Sequence, residues 1–143
     1  MIEINNTTKQ KINIAKTKRV VEAFLRAYKK ADFTVSVAII GPARMQKLNK
    51  TYRGIDRPTD VLSFAGTKEK GQEKYLGEVI INIAEVKKAN KYLEVFGLKK
   101  AADYIFYFLL VHGLLHLVGY NDDREVDRLK MLNLGERFLE EWL

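Results

Sequence analysis

The segment that most limits what this 143-residue chain can fold into is Ile105–Val118, IFYFLLVHGLLHLV, which is apolar on nearly every side. A surface helix carries one apolar stripe, whereas a helix apolar all round has to be enclosed. Its longest unbroken apolar run, Ile105–Val111, is far shorter than the roughly 20 residues that cross a bilayer. The segment is therefore read as a central buried helix, with the rest of the chain packed around it. At 47% hydrophobic residues the chain can bury such a core, and its length fits one domain over residues 1–143.

Cysteine is absent, which excludes disulfide staples, cysteine-based zinc sites and a thiol nucleophile. Residues 1–20 hold five lysines or arginines and no apolar core of a signal peptide. The expectation is a cytoplasmic protein without membrane contact.

Periodicity orders the remaining elements. Ile2–Ile4 reads as a short strand, and Asn13–Lys30 as a helix through Val20, Val21, Phe24, Leu25 and Tyr28. Phe33–Ile40 is a β-branched strand, broken by Gly41-Pro42. A short helix is expected over Ala43–Tyr52, then a polar loop from Arg53 to Asp60, with Pro42 and Pro58 both at loop positions. Val61–Ala65 and Leu76–Ile83 are strands flanking an exposed charged turn, Gly66–Lys74. Helices follow over Ala84–Phe96, Lys99–Val118 and Asp123 onward, with Gly97 and Gly119 where C-terminal cap glycines belong. This order predicts an α+β fold: a four-stranded mixed sheet packed against helices.

His112 and His116 are the chain's two histidines. Four residues apart on a helix, they lie one turn apart on one face, so both imidazoles can reach one ion. Gly119 lets the chain double back, and Asp122 falls at the third-ligand offset of the H-x-x-x-H-x-x-G-x-x-H pattern. The alternative is a pair of core histidines bonded to backbone carbonyls. In zinc proteases a glutamate follows the first histidine and acts as general base. Here that position is Gly113, which argues against a peptidase.

A second segment, Leu48–Phe64, gathers arginine, lysine, threonine and serine around Gly54 and Pro58. Arg53 could clamp a phosphate through two parallel hydrogen bonds. The chain carries a net charge of +7, and it is uneven. From Asp122 onward there are seven acids and four bases, leaving 21 bases against 11 acids before it. A basic body of this kind suits a polyanion such as RNA.

Taken together, His112-Gly113-x-Leu115-His116-Leu117-x-Gly119-Tyr120, Tyr52-Arg53-Gly54-x-Asp56-x-Pro58-Thr59-Asp60-Val61-Leu62-Ser63-Phe64 and Leu76-Gly77-Glu78-Val79-Ile80-Ile81 resemble the YbeY family of bacterial rRNA maturation factors. The resemblance runs over nearly the whole chain. It implies a metal-dependent, single-strand-specific endoribonuclease acting in 16S rRNA 3′-end maturation and ribosome quality control. Its partners would be rRNA and ribosomal particles, with no DNA. It also implies one divalent ion held by three histidines. His112 and His116 match the first two, but position 122 carries aspartate. A carboxylate remains a competent zinc ligand. It is harder and negatively charged, so the ion becomes a weaker Lewis acid, and the range widens from zinc to nickel, manganese or iron. Asp123 is a rival third ligand. The family's arginine maps onto Arg53, the expected catalytic residue. The competing reading is a non-catalytic, metal-containing ribosome-assembly factor.

Overall fold

The structure is a computed structural model that describes residues 1–67 and 69–143. Lys68, inside the expected Gly66–Lys74 turn, lies outside the described residues.

The elements run β1 (Ile2–Asn6), α1 (Ile14–Ala27), β2 (Thr34–Ile40), α2 (Pro42–Arg53), β3 (Val61–Ala65), β4 (Tyr75–Asn82), a 3₁₀ stretch (Ile83–Lys87), α3 (Leu93–Phe96), α4 (Ala102–Leu117) and α5 (Glu125–Trp142). The sheet has the order β1-β2-β4-β3. β1, β2 and β4 are parallel, with Ile4 opposite Val37 and Val37 opposite Val79; β3 runs antiparallel to β4, with Ser63 opposite Val79. This is the expected α+β architecture with a mixed sheet.

Alternation in β2 and β4 sends side chains to both faces of the sheet. Val35, Val37, Ile39, Val79 and Ile81 join the main core beneath α1, α4 and α5. Ile40, Leu62 and Ile80 close a smaller core around Met45 of α2 on the opposite face. α4 is the central helix that its composition demands: Ile105–Val111, Leu114 and Leu115 are all buried. At about 1.5–3 kcal/mol for each large apolar side chain removed from water, this one helix supplies a major share of the driving force.

Two expectations need correction. Pro42 is not a loop residue but occupies the first turn of α2, where its missing N–H is no loss and its fixed φ suits the helix. The helix expected over Ala84–Phe96 breaks into the 3₁₀ stretch, a series of turns, and the single turn of α3. The cause is visible in the spacing. Ile83, Val86, Ala89, Tyr92 and Val95 recur every three residues and all meet the main core. That is the 3₁₀ period, not 3.6, and the segment's hydrogen bonds follow it, from Lys88 N–H to the Glu85 carbonyl and from Lys91 N–H to the Lys88 carbonyl. Glu85, buried at 4% exposure, anchors these turns by accepting from Lys88 (2.9 Å) and Lys91 (2.6 Å). Burial pushes its carboxyl up, but the two ammonium groups together outweigh that and hold it below the usual glutamate value.

Candidate metal centre and its groove

α4 ends in a Schellman motif: Gly119 N–H donates to the His116 carbonyl and Tyr120 N–H to the Leu115 carbonyl. The motif needs a left-handed residue after the cap, and Gly119 supplies φ +106°. The reversal carries Asp122 back over the last turns of α4. Its Oδ2 lies 3.3 Å from His112 Nε2 and 3.6 Å from His116 Nε2. The three donor atoms all fall within 4.8 Å of one another. Asp123 takes no part and points to solvent.

These distances test whether an ion fits. With zinc–nitrogen and zinc–oxygen bonds of about 2.0–2.2 Å, neighbouring corners of a tetrahedron lie roughly 3.3–3.6 Å apart. The two aspartate–histidine separations match that edge. The rings are also prepared. His116 Nδ1 sits 3.1 Å from the Tyr120 carbonyl, which requires the proton on Nδ1 and leaves Nε2 with a free lone pair. His112 is largely enclosed, and burial first, then the neighbouring His116, lowers its basicity below the usual histidine value despite Asp122 and Asp60. It is therefore a neutral imidazole at neutral pH, the form a metal binds. His112 Nδ1 is buried without a hydrogen-bond partner among the described residues.

Gly113 has a packing role. A Cβ there would come within 2.6 Å of Val79 Cγ1 and 3.1 Å of Ser63 Oγ. α4 thus lies against β3 and β4 through bare backbone, and Ser63 Oγ donates to the Gly113 carbonyl at 2.8 Å. The glutamate of a zinc protease has no room at this position.

The centre opens into a groove of about 540 Å³ lined by Arg53, Thr59, Asp60, Ser63, Leu117 and the three donors. Arg53 is exposed on the last turn of α2, which Gly54 caps at φ +70°. Among the described residues it forms no ion pair, so its guanidinium is available. The loop beyond it is braced from α2: Asn49 Nδ2 donates to the Arg57 carbonyl at 2.8 Å and Gln46 Nε2 to Asp56 at 3.0 Å.

The sequence reading assigned no role to Asp60. It stands at the junction of this groove with a second hollow that also contains His112 and Asp122. Its Oδ1 accepts from Val61 N–H at 2.8 Å and its Oδ2 from the Tyr92 hydroxyl at 2.9 Å. Burial, and then the Asp60 charge, push the Tyr92 hydroxyl far above the usual tyrosine value, so it stays a donor. No local signal could have revealed this pair, because its members are 32 residues apart.

The family model described as Endoribonuclease YbeY matches residues 3–143. The chain belongs to the YbeY family. A YbeY relative from Desulfitobacterium hafniense, named Endoribonuclease YbeY, is 39% identical over 105 residues, which is 68% of this chain and 64% of the relative. The matched segment is 60% of the Moorella thermoacetica YbeY, at 41% identity. With the YbeY of Acholeplasma laidlawii the match reaches 96% of this chain and 95% of the relative, at 29% identity. The fold is similar to a solution structure from Thermotoga maritima, with TM-score 0.61, 26% identity, and coverage of 99% and 89% of the two chains.

Asp122→His would give this YbeY-family chain the third imidazole. The variant is expected to hold zinc more tightly and to lose preference for manganese, because a neutral nitrogen donor replaces a hard anionic oxygen. Competition between the two ions for the purified protein, followed by elemental analysis, measures the change.

Proposed function

We propose that this protein is a metal-dependent endoribonuclease that cuts single-stranded RNA, acting in the cytoplasm in 16S rRNA 3′-end maturation and on ribosomal particles. The observation that carries the reading is the convergence of His112, His116 and Asp122 in one groove with the exposed Arg53. Family membership supports the RNA substrate, since the relatives carry the name endoribonuclease. Among the described residues no helix is long and apolar enough to cross a membrane.

His112 Nε2, His116 Nε2 and an Asp122 oxygen would hold the ion. A divalent ion so held supplies Lewis acidity toward a phosphoryl oxygen and lowers the pKa of water. Three protein donors rather than four would leave such an ion a coordination position open, as catalytic rather than structural sites do. That favours a nuclease over a non-catalytic assembly factor. Arg53 would bind two phosphate oxygens in its planar fork and neutralise the charge that grows on them in the transition state. The Tyr120 carbonyl fixes the His116 ring, and the Tyr92 hydroxyl keeps Asp60 turned along the groove wall.

The test is cleavage of a labelled single-stranded RNA by purified protein, with and without chelator, beside a duplex control. Cleavage of the single strand that stops on chelation and returns with zinc or manganese is the expected result. Undiminished cleavage in chelator contradicts the metal role. RNA binding without any cleavage would favour the assembly-factor reading instead.

A further inference from the structure

The net charge of the chain is concentrated in one place. Residues 9–30 hold eight lysines and arginines and a single acid, Glu22, a balance of +7, which equals the net charge of the whole chain. All other residues together hold 17 bases and 17 acids. Among the described residues none of the eight lies within ion-pair distance of a carboxylate.

α1 sorts these charges onto one side. Val20, Val21, Phe24 and Leu25 are buried in the core, while Lys18, Arg19 and Arg26 are exposed. Two adjoining hollows run along the outer side. In the first, Lys11, Lys16 and Lys87 stand over the buried rings of Phe106 and Tyr107, with Asp103 the one acid present. In the second, Lys16, Arg19 and Arg26 meet Trp142, with Glu22 the one acid present. Lys16 belongs to both, and its Nζ stands 5.1 Å from the centre of the Tyr107 ring. Trp142, the only tryptophan of the chain, is 44% exposed. From Lys16 to Arg26 the strip covers about 15 Å of helix.

This strip is not the metal groove. α1 packs against β1, and β3 lines the groove; these are the two outermost strands of the sheet, roughly 14 Å apart across three strand spacings. We propose that the outer side of α1 is a second RNA-binding surface. It grips phosphates with Lys11, Lys16, Arg19 and Arg26 and offers the Trp142 ring to a base. A basic track beside an exposed aromatic ring, here Trp142, is a means of holding single strands without sequence preference. An anionic membrane would meet the same cations, but Val20, Val21, Phe24 and Leu25 of α1 face inward, and Ile14 and Trp142 at the two ends of the strip are too few to make the continuous apolar face that a membrane-surface helix inserts. The inference rests on RNA being the substrate and adds a site that anchors it away from the chemistry.

The test uses the full chain in chelator, so that RNA is bound and not cut. A labelled single-stranded RNA is titrated at several salt concentrations while Trp142 fluorescence is followed. Wild-type protein is expected to bind with quenching of that fluorescence. The triple variant Lys16→Gln, Arg19→Gln, Arg26→Gln is expected to bind on the order of tenfold more weakly, with the slope of log K against log salt reduced by about 2, since each lost phosphate contact removes about 0.7. A control of equal charge, Lys70→Gln, Lys99→Gln, Lys100→Gln, should keep both affinity and slope. If the triple variant melts early, Arg19→Gln and Arg26→Gln singly should each lose about 0.7 of slope. Equal losses in the two triple variants, no quenching of Trp142, or binding to anionic vesicles in place of RNA would each overturn the proposal. Unchanged binding by the α1 variant with cleavage intact sinks this inference alone. Strip-dependent binding by a protein that never cleaves sinks the nuclease reading and leaves the surface standing.

Discussion

An Arg53→Ala variant is expected to cleave single-stranded RNA about 10²–10³-fold more slowly than the parent protein, the usual loss when one preorganised donor to a developing anion is removed. The loss should fall on kcat, because the charge that Arg53 meets grows in the transition state and is smaller in the bound substrate. Folding and metal content should be unaffected. The side chain is exposed at the end of α2, and among the described residues it makes no ion pair. Arg53→Lys should recover only part of the rate, since an ammonium keeps the charge and lacks the planar fork. Single-turnover rates for the three proteins, with thermal melting and metal content alongside, measure each part. An alanine variant as fast as the parent would remove Arg53 from the chemistry.

Gly113→Glu is the second large effect, and it acts on stability. On paper the change completes the histidine-glutamate signature of a zinc peptidase. In the fold, the Cβ alone would stand 2.6 Å from Val79 Cγ1 and 3.1 Å from Ser63 Oγ. Overpacking of that kind costs about 1–3 kcal/mol, and a carboxylate forced against β3 and β4 without a partner adds several more. The variant should lose at least about 3 kcal/mol, lowering the melting temperature by roughly 10 °C or more. It should show no turnover of casein. Gly113→Ala separates the terms: alanine gains about 1 kcal/mol of helix propensity and still meets Val79, so a smaller net loss is expected. A Gly113→Glu protein that melts like the parent would mean that α4 does not lie against the sheet as described.

Much of this was legible in the chain itself, and particular residues explain why. The all-round apolarity of Ile105–Val118 required a central helix, and the structure places it there. The spacing of His112 and His116 with Gly119 is enough to put Asp122 beside them, because an α-helix and a Schellman turn are rigid, local geometries. What escaped was non-local. Asp60 meets Tyr92 only because β3 and the turns after β4 are brought together by the sheet. The expected helix over Ala84–Phe96 breaks because its apolar residues keep a strict spacing of three, which the 3₁₀ turns after Asn82 satisfy and an α-helix does not. The strip on α1 was in the sequence as charge, but only the fold places Tyr107 and Trp142 beside it.

The central claim is that His112, His116 and Asp122 form a metal centre on which RNA cleavage depends. Its most direct test is elemental analysis of the purified protein and of the His112→Ala, His116→Ala double variant, each assayed for cleavage of the same single-stranded RNA. About one divalent ion per parent chain is expected, with loss of both ion and cleavage in the double variant. A double variant that keeps its metal, or that cleaves RNA as fast as the parent, would contradict it.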